Sequence, residues 1–377
     1  MSEFQYVGFR AIDQPVSEKN LEFMRQQSSR AEITRWSFDN EYNFGDFRGN
    51  AFEMLRRGYD IQLHYANFGV RTLRIRFPQG LPDTKSFQAY EDDDALQFVK
   101  DKQGPGGFLI IEPFIESGEL TDLWDLDELL ERLVPLQREI LDGDLRPLYL
   151  AHLAVARDGN HDPDETREGP VPAGLKKPSA AQLALAELYG LSESFMAAAA
   201  LESSPLPDFA DKQAQYQAWV AEQPEKLKRA GLGAGMEDPA APVRAEVLAK
   251  YRSERSLPAW PTKESGRTLS ELYVASEQIA EQLRERAAHK AARERAESLA
   301  QMAADPETTL KEVQRLVERR SGISYQQAAR LLAAPREALA ESKQANLAEK
   351  YALKLKNKNP TLRRLTSELR RQGFVPK

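Results

Sequence analysis

The sequence has no cysteine among its 377 residues. This absence excludes disulfide bonds, thiolate zinc sites, iron–sulfur clusters and thiol catalysis within the chain. It also fits a reducing compartment, so we expect a cytoplasmic location. The first residues, Met1 to Tyr6, contain no basic segment followed by an apolar stretch, and we therefore expect no export signal there.

Long apolar runs are also missing, since no window approaches the roughly 20 apolar residues that a membrane-spanning helix needs. We therefore expect no membrane contact.

Histidine is scarce, and the four histidines are His64, His152, His161 and His289. No two of them stand at metal-ligand spacing on one helix, so the sequence predicts no metal site, no cofactor and no catalytic residue.

The charge of the chain is unevenly distributed. Its formal net charge is −6, but Lys343 to Lys377 contains ten Lys or Arg residues against two acids, Glu349 and Glu368. A basic segment of this kind is typical of a surface that contacts phosphates or an acidic protein. The cations that we select as candidates for binding a partner or nucleic acid are Lys354, Lys356, Lys358, Arg363, Arg364, Arg370 and Arg371. The alternative is an ordinary solvated helical tail.

Residues 1–157 show the alternation of β-strands interleaved with short helical patterns. Apolar and polar residues alternate over 61–65 and 73–77 on either side of Asn67-Phe-Gly69, which predicts a β-hairpin. Residues 95–115 predict a second hairpin, with turns supplied by glycine and proline. The fold class predicted is α+β, with about six strands in an N-terminal sheet domain.

The remainder of the chain is predicted to be helical. A leucine stripe at Leu126, Leu129, Leu130, Leu133 and Leu136 predicts a helix that covers the sheet. Residues 158–178 are polar with glycine and proline, and we predict a linker there, followed by a helical domain over 179–377. Within it, 268–304 predicts one helix roughly 55 Å long, with Lys290–Glu294 and Arg293–Glu297 pairs.

Helix starts are marked by capping residues at several positions. Capping-box patterns begin at Ser179, Thr268 and Ser324. Pro306 and Pro360 are each predicted at the first helical position, because proline has no N–H and needs no partner there.

One face of the first hairpin is a candidate anion-binding site. Alternation places His64, Arg74 and Arg76 together with Gln62 and Thr72, and a row of cations there could hold an anion or a carboxylate. The alternative is a solvated or ion-paired sheet face.

Two acidic segments suggest metal chemistry on first inspection. Glu91 to Asp94 are four consecutive carboxylates, which could bind a divalent ion or act as acid and base, but adjacent strand residues point to opposite faces and favour a hairpin tip. The segment from Asp158 to Asp164 has oxygen ligands at alternate positions, as a calcium loop does. However, Pro163 stands where the tight turn of such a loop needs glycine, and Gly169 stands where the loop needs a bidentate glutamate. A polar linker explains that segment better.

The glycine runs at 104–107 and 231–235 do not precede a helix as a phosphate loop does.

Aromatic residues cluster beside three arginines in the first fifty residues. The aromatic residues are Trp36, Phe38, Tyr42, Phe44 and Phe47, and the arginines are Arg30, Arg35 and Arg48. This composition suits base stacking or a partner anchor, whereas the alternative is core packing, which we favour.

Four stretches carry a resemblance to a known family. They are Ser29-Arg-Ala-Glu-Ile-Thr34, Tyr42-Asn-Phe-Gly-Asp-Phe-Arg-Gly49, Tyr65-Ala-Asn-Phe-Gly69 and Gly169-Pro-Val-Pro-Ala-Gly-Leu175. With them, the N-terminal half resembles an uncharacterised family of bacterial hypothetical proteins. The resemblance implies a bacterial source and a shared fold. Because that family has no assigned activity, it implies no functional residue.

Three functions follow as hypotheses from these patterns. The first is a non-enzymatic interaction or scaffold protein whose partner is another protein or a second copy of the chain, since no catalytic motif is present. The second is an accessory nucleic-acid-binding protein that acts through the basic C-terminal helices. The third is a carboxylate or metal-dependent enzyme in the N-terminal domain.

Overall fold

The computed structural model describes residues 4–43, 45–92, 95–104, 106–113, 123–158, 162–206, 212–237, 243–254, 259–340 and 344–376. The chain divides into two compact units, residues 1–280 and residues 281–377. The first unit is built on a β-sheet with helices on both faces. The second is helical.

The sheet of the first unit has seven antiparallel strands in the order β2-β3-β1-β4-β5-β7-β6. These strands are β1 (Gln5–Arg10), β2 (Glu32–Ile33), β3 (Ser37–Tyr42), β4 (Ile61–Ala66), β5 (Val70–Phe77), β6 (Leu96–Lys100) and β7 (Gly107–Ile111). Both predicted hairpins are present, as β4 with β5 and as β6 with β7. The predicted α+β class is confirmed.

One face of the sheet is covered by four helices. They are α4 (Leu126–Leu133), α5 (Pro135–Leu141), α6 (Arg146–Asp158) and α7 (Ala180–Tyr189). All five leucines of the predicted stripe are buried against the sheet. The stripe lies on two helices instead of the one predicted, because α5 begins at Pro135, where proline starts a helix without needing an N–H partner.

The opposite face is covered by α1 (Glu18–Gln27) and α2 (Ala51–Arg56). Phe9 and Phe38 of the sheet pack there with Met24 of α1 and Met54 of α2. Both helices are capped by side chains, since Ser17 accepts from the Asn20 amide and Asn50 from the Glu53 amide. The central strands are therefore buried on both sides. A short helix, α3 (Thr84–Gln88), follows β5.

The segment predicted as a linker contributes to the first unit. Within 158–178, Val171 and Pro172 form β8, which pairs with β9 (Thr262–Lys263), and Ala173 and Leu175 are buried. Residues of α7 and of α8 (Glu193–Ala199) join the same core as the sheet, because their Ala and Leu side chains pack with those of the preceding helices. The boundary between the two compact units lies at 280/281.

Three helices and one long helix follow. They are α9 (Lys212–Glu222), α10 (Glu225–Glu237), α11 (Val243–Glu254) and α12 (Leu269–Ala304). The long helix is confirmed, and so are its Lys290–Glu294 and Arg293–Glu297 pairs, at 3.8 and 2.8 Å. The capping box at its start also forms, since Thr268 and Glu271 exchange backbone-to-side-chain hydrogen bonds.

The second unit has its own apolar core. Besides the end of α12 it contains α13 (Pro306–Glu318), α14 (Gly322–Ala338), α15 (Leu347–Lys358) and α16 (Arg363–Arg371). Pro306 begins α13 as predicted. Two predicted starts are wrong. Ser321, not Ser324, caps α14 by accepting from the Ser324 amide, and Pro360 lies in a turn before α16.

A buried ion pair connects distant segments of the first unit. The Glu168 side chain is 0% exposed, and the Nε and Nη2 atoms of Arg267 donate to its two oxygens at 2.5 and 3.0 Å. The Tyr149 hydroxyl also donates to Glu168 Oε2 at 2.5 Å. Arg267 further donates to the backbone oxygens of Ala198 and Ala199.

We predict that Arg267→Met destabilises the protein by about 3 kcal/mol, because it leaves the Glu168 carboxylate buried without its counter-charge. Urea unfolding at neutral pH measures this change. The matched control is Arg284→Gln, which removes a pair whose side chains are 72% and 60% exposed, and we expect a change within about 0.5 kcal/mol. A loss below about 1 kcal/mol for Arg267→Met would contradict the assignment of Glu168 and Arg267 as a buried ion pair on which the fold depends.

Candidate functional site

A groove with a volume of about 670 Å³ lies in the second unit. Its lining residues are Lys356 and Asn357 of α15, Pro360 of the following turn, and Arg363, Thr366 and Arg370 of α16. The groove thus brings together three of the seven cations predicted from the tail.

The fold of α16 determines which of its side chains reach the groove. Leu365 and Leu369 are buried in the core of the unit, four residues apart on one side of the helix. Arg363, Thr366 and Arg370 follow one another at intervals of three and four residues, and therefore share another side. Because Leu365 and Leu369 are held in the core, the side of α16 that carries Arg363, Thr366 and Arg370 faces outward.

The three cations of the groove have no acidic partner. Among the described residues, no carboxylate lies within 4 Å of Lys356, Arg363 or Arg370. The Arg370 Nε atom donates to the backbone oxygen of Pro376 at 3.1 Å. Three positive charges that face one concave surface raise the local potential, and this favours an anionic ligand.

The charge of the two units differs in sign. Residues 281–377 contain 21 Lys or Arg and 12 Asp or Glu, a net charge of +9. Since the whole chain carries −6, residues 1–280 carry −15. The groove therefore lies in the positively charged part of an acidic protein, and the attraction it exerts on an anion is reinforced by its own unit.

The other predicted tail cations lie outside the groove. Lys354, Lys358 and Arg364 are exposed but do not line it, and the Arg371 Nη2 atom lies 2.8 Å from Glu368 Oε2. Three groove residues were not predicted, namely Asn357, Pro360 and Thr366. Helical spacing would have found Thr366, because it lies three residues after Arg363 and four before Arg370.

The predicted anion-binding sheet face divides into separate contacts. His64 Nε2 lies 3.2 Å from Gln5 Oε1. Arg74 donates to Gln62 Oε1 at 2.9 Å and lies 3.3 Å from Glu112 Oε2. Arg76, on the same strand, is 3.6 Å from Asp60 Oδ1. The two arginines are thus ion-paired in the structure.

This polar sheet face is largely buried. Gln62 and Thr72 are 1% and 0% exposed, and Gln62 Nε2, Thr72 Oγ1 and Arg74 Nε have no hydrogen-bond partner among the described residues. Burial lowers the pKa of His64, and the nearby Arg74 charge lowers it further. Burial also lowers the pKa of Arg74. The face is therefore a desolvated part of the fold and holds His64 neutral near physiological pH.

The remaining predicted sites have structural roles or lie outside the described residues. Asp92 Oδ1 accepts from the Ala95 amide, whereas 93, 94 and His161 lie outside the described ranges. Within those ranges, no group of three acidic or histidine side chains is placed to hold a metal ion. Asp158 pairs with Arg157 at 2.7 Å.

The aromatic cluster near the N-terminus is mostly packed inside. Phe38 and Phe47 lie 5.5 and 6.1 Å from Phe9, measured between ring centroids, whereas Trp36 is 48% exposed. Tyr42 is half-buried, and Phe44 lies outside the described residues. The buried rings contribute to the core under α1 and α2.

Comparisons with family models, with curated proteins and with solved structures found no match for this chain. The resemblance of the N-terminal half to a bacterial family therefore stays an expectation from sequence. Across the part of the chain that the structure describes, none of the helices combines the length and the apolar character required to cross a bilayer.

Asp60 should make stability depend on pH. Its Oδ2 atom accepts from the Ile12 amide at 2.8 Å, but burial raises the pKa of Asp60 from 3.8 to about 6. Since the folded pKa exceeds the unfolded one, the folded state binds more protons, and Asp60 contributes stability that is present below pH 3.8 and lost as pH rises through about 6.

We predict that the difference in unfolding free energy between the wild type and Asp60→Asn falls by about 2 to 3 kcal/mol from pH 4 to pH 7. Urea unfolding of both proteins across this range measures the difference. Other titrating groups, such as His64 and His152, are common to both proteins and cancel. A difference that is independent of pH would contradict the raised pKa of Asp60.

Proposed function

We propose that the C-terminal unit binds the phosphate backbone of nucleic acid through the groove between α15 and α16. The observation that carries this proposal is the convergence of Lys356, Arg363 and Arg370 on one concave surface, with no acidic partner among the residues that the structure describes. Lys and Arg side chains that neutralise phosphates release condensed counterions, and this release drives non-specific binding. The net charge of +9 on this unit adds long-range attraction.

The composition of the groove supports contacts to the backbone instead of contacts to bases. Its uncharged polar residues, Asn357 and Thr366, carry groups that donate hydrogen bonds to phosphate oxygens. None of the six lining residues is aromatic, so the described groove offers no platform on which a base could stack. We therefore expect binding that depends on salt and is tolerant of sequence.

The interaction or scaffold function, with another protein or a second copy as partner, stays a hypothesis. Its best surface is the middle of α12, which is exposed to solvent. Between Leu283 and Leu299, however, the apolar residues of this helix are all alanines. Long apolar side chains are what a helical partner buries, and their scarcity gives this hypothesis less support than the groove gives nucleic acid.

The enzymatic hypothesis likewise stays untested. It depended on the carboxylates from Glu91 to Asp94, of which residues 93 and 94 lie outside the described residues. Asp92 is engaged in the turn before β6, where its amide donates to the Leu96 oxygen and its carboxylate accepts from Ala95. Hydrogen bonds of this kind are typical of a carboxylate that orders a turn.

We predict that replacing Lys356, Arg363 and Arg370 together with Gln weakens nucleic-acid binding by roughly tenfold or more and lowers the dependence of log K on log salt by about 2 to 3. Fluorescence anisotropy, with a labelled single strand and a duplex of the same sequence, measures both quantities between about 50 and 200 mM salt.

The matched control replaces Lys354, Lys358 and Arg364 with Gln. This control also removes three positive charges from α15 and α16, but none of its three residues lines the groove. We therefore expect at most a small loss of affinity. Equal losses in the two triple variants would assign binding to net charge and not to the groove. No salt-dependent binding by the wild type would refute the proposal.

A further inference from the structure

A second cationic pocket lies in the first unit and has a volume of about 270 Å³. Arg56 and Arg57 line it from the end of α2, and Arg76 lines it from β5. The turn between β6 and β7 supplies the other wall, with Asp101 and Gly104. This pocket belongs to a different unit from the groove.

The acidic residues of the pocket satisfy only part of its guanidinium groups. Glu53 accepts from Arg56 Nη1 and Arg57 Nε at 2.8 and 2.7 Å, and Asp101 accepts from Arg56 Nε at 2.9 Å. Among the described residues, the terminal nitrogens of Arg57 and the side-chain nitrogens of Arg76 have no hydrogen-bond acceptor. The lining holds three arginines against two carboxylates, and Asp60, which lies outside the lining, is 3.6 Å from Arg76 Nη1.

The glycines of the turn bring its backbone close to the arginines. A Cβ atom on Gly106 would lie 2.1 Å from the Phe77 carbonyl oxygen, so only glycine permits this approach to the end of β5, next to Arg76. Gly104 is different, since a Cβ atom there would meet nothing closer than Asp101 Oδ2 at 3.9 Å. The pocket is thus shaped by Gly106 and open at Gly104.

We propose that this pocket binds a phosphate monoester or inorganic phosphate. A dianion suits a site with three guanidinium groups, because planar guanidinium donors match phosphate oxygens in geometry and charge. The volume of about 270 Å³ lies just below the usual range for ligand pockets, about 300 to 1,000 Å³, and accommodates a small ligand only. The unbonded donors of Arg57 and Arg76 are the groups that contact it.

The test compares Gly104→Glu with Gly104→Gln in the full-length protein. Glutamate and glutamine side chains have the same shape, and a Cβ atom at position 104 would meet no atom closer than Asp101 Oδ2 at 3.9 Å. The two variants differ in charge, because glutamate places a competing negative charge at the pocket. Isothermal titration with inorganic phosphate and with methyl phosphate should show binding to the wild type, and a greater loss of binding in Gly104→Glu than in Gly104→Gln. Circular dichroism verifies that both variants fold.

A second pair of variants tests the arginines. Arg76→Gln should weaken phosphate binding roughly tenfold or more, because it removes charge-assisted hydrogen bonds. The control, Arg25→Gln, changes an exposed arginine of α1 that does not line the pocket, and should leave binding unchanged.

Three results would contradict the proposal. Equal phosphate binding by Gly104→Glu and Gly104→Gln, or no binding by the wild type, would exclude the pocket as a phosphate site. Dimethyl phosphate carries a single negative charge and imitates the nucleic-acid backbone. If it bound as tightly as methyl phosphate, the specificity for a monoester would be refuted.

Discussion

The N-terminal unit depends on the burial of one β-sheet from both faces. Strands β1, β4 and β5 lie between α4 to α7 on one side and α1 with α2 on the other. Because side chains alternate across a strand, both sets must enter the interior. Gln62, Thr72 and Arg74 are consequently desolvated, and three of their polar atoms have no hydrogen-bond partner within the described part of the chain. Such atoms cost stability, which the apolar contacts of the two cores must offset.

The same constraint explains why cations accumulate at the end of β5. Arg74 lies within the buried face and makes its bonds to Gln62 and Glu112 there. Arg76, two residues later, shares that face but reaches the pocket beside α2. The alternating side chains of β5 therefore place Arg74 in contacts within the fold and Arg76 in the lining of the pocket. Strand alternation predicts that the side chains share a face, but their different contacts follow from which residues surround each position.

Local patterns were sufficient for much of the fold. The two hairpins and the pairs along α12 each depend on residues that are close in sequence, and they were predicted correctly. The burial of the leucine stripe was also predicted, although the stripe lies on two helices and not on one. The assembly of the sites was not predictable, because it depends on contacts between separate elements. Lys356 and Arg370 line the same groove only because α15 packs against α16. Arg57 and Arg76 line the same pocket only because of the position of α2 over the sheet.

The distribution of acids in the C-terminal unit supports a ligand at the groove. Several arginines of this unit have a carboxylate three or four residues away, as Arg293 has Glu297 and Arg315 has Glu312. Glu368 lies two residues before Arg370, on a different side of α16, and pairs with Arg371. Ion pairs on a helix surface contribute little stability, so their omission at the groove costs the fold almost nothing. What the omission changes is the local potential, and this potential is the reason why we propose a phosphate chain as the ligand.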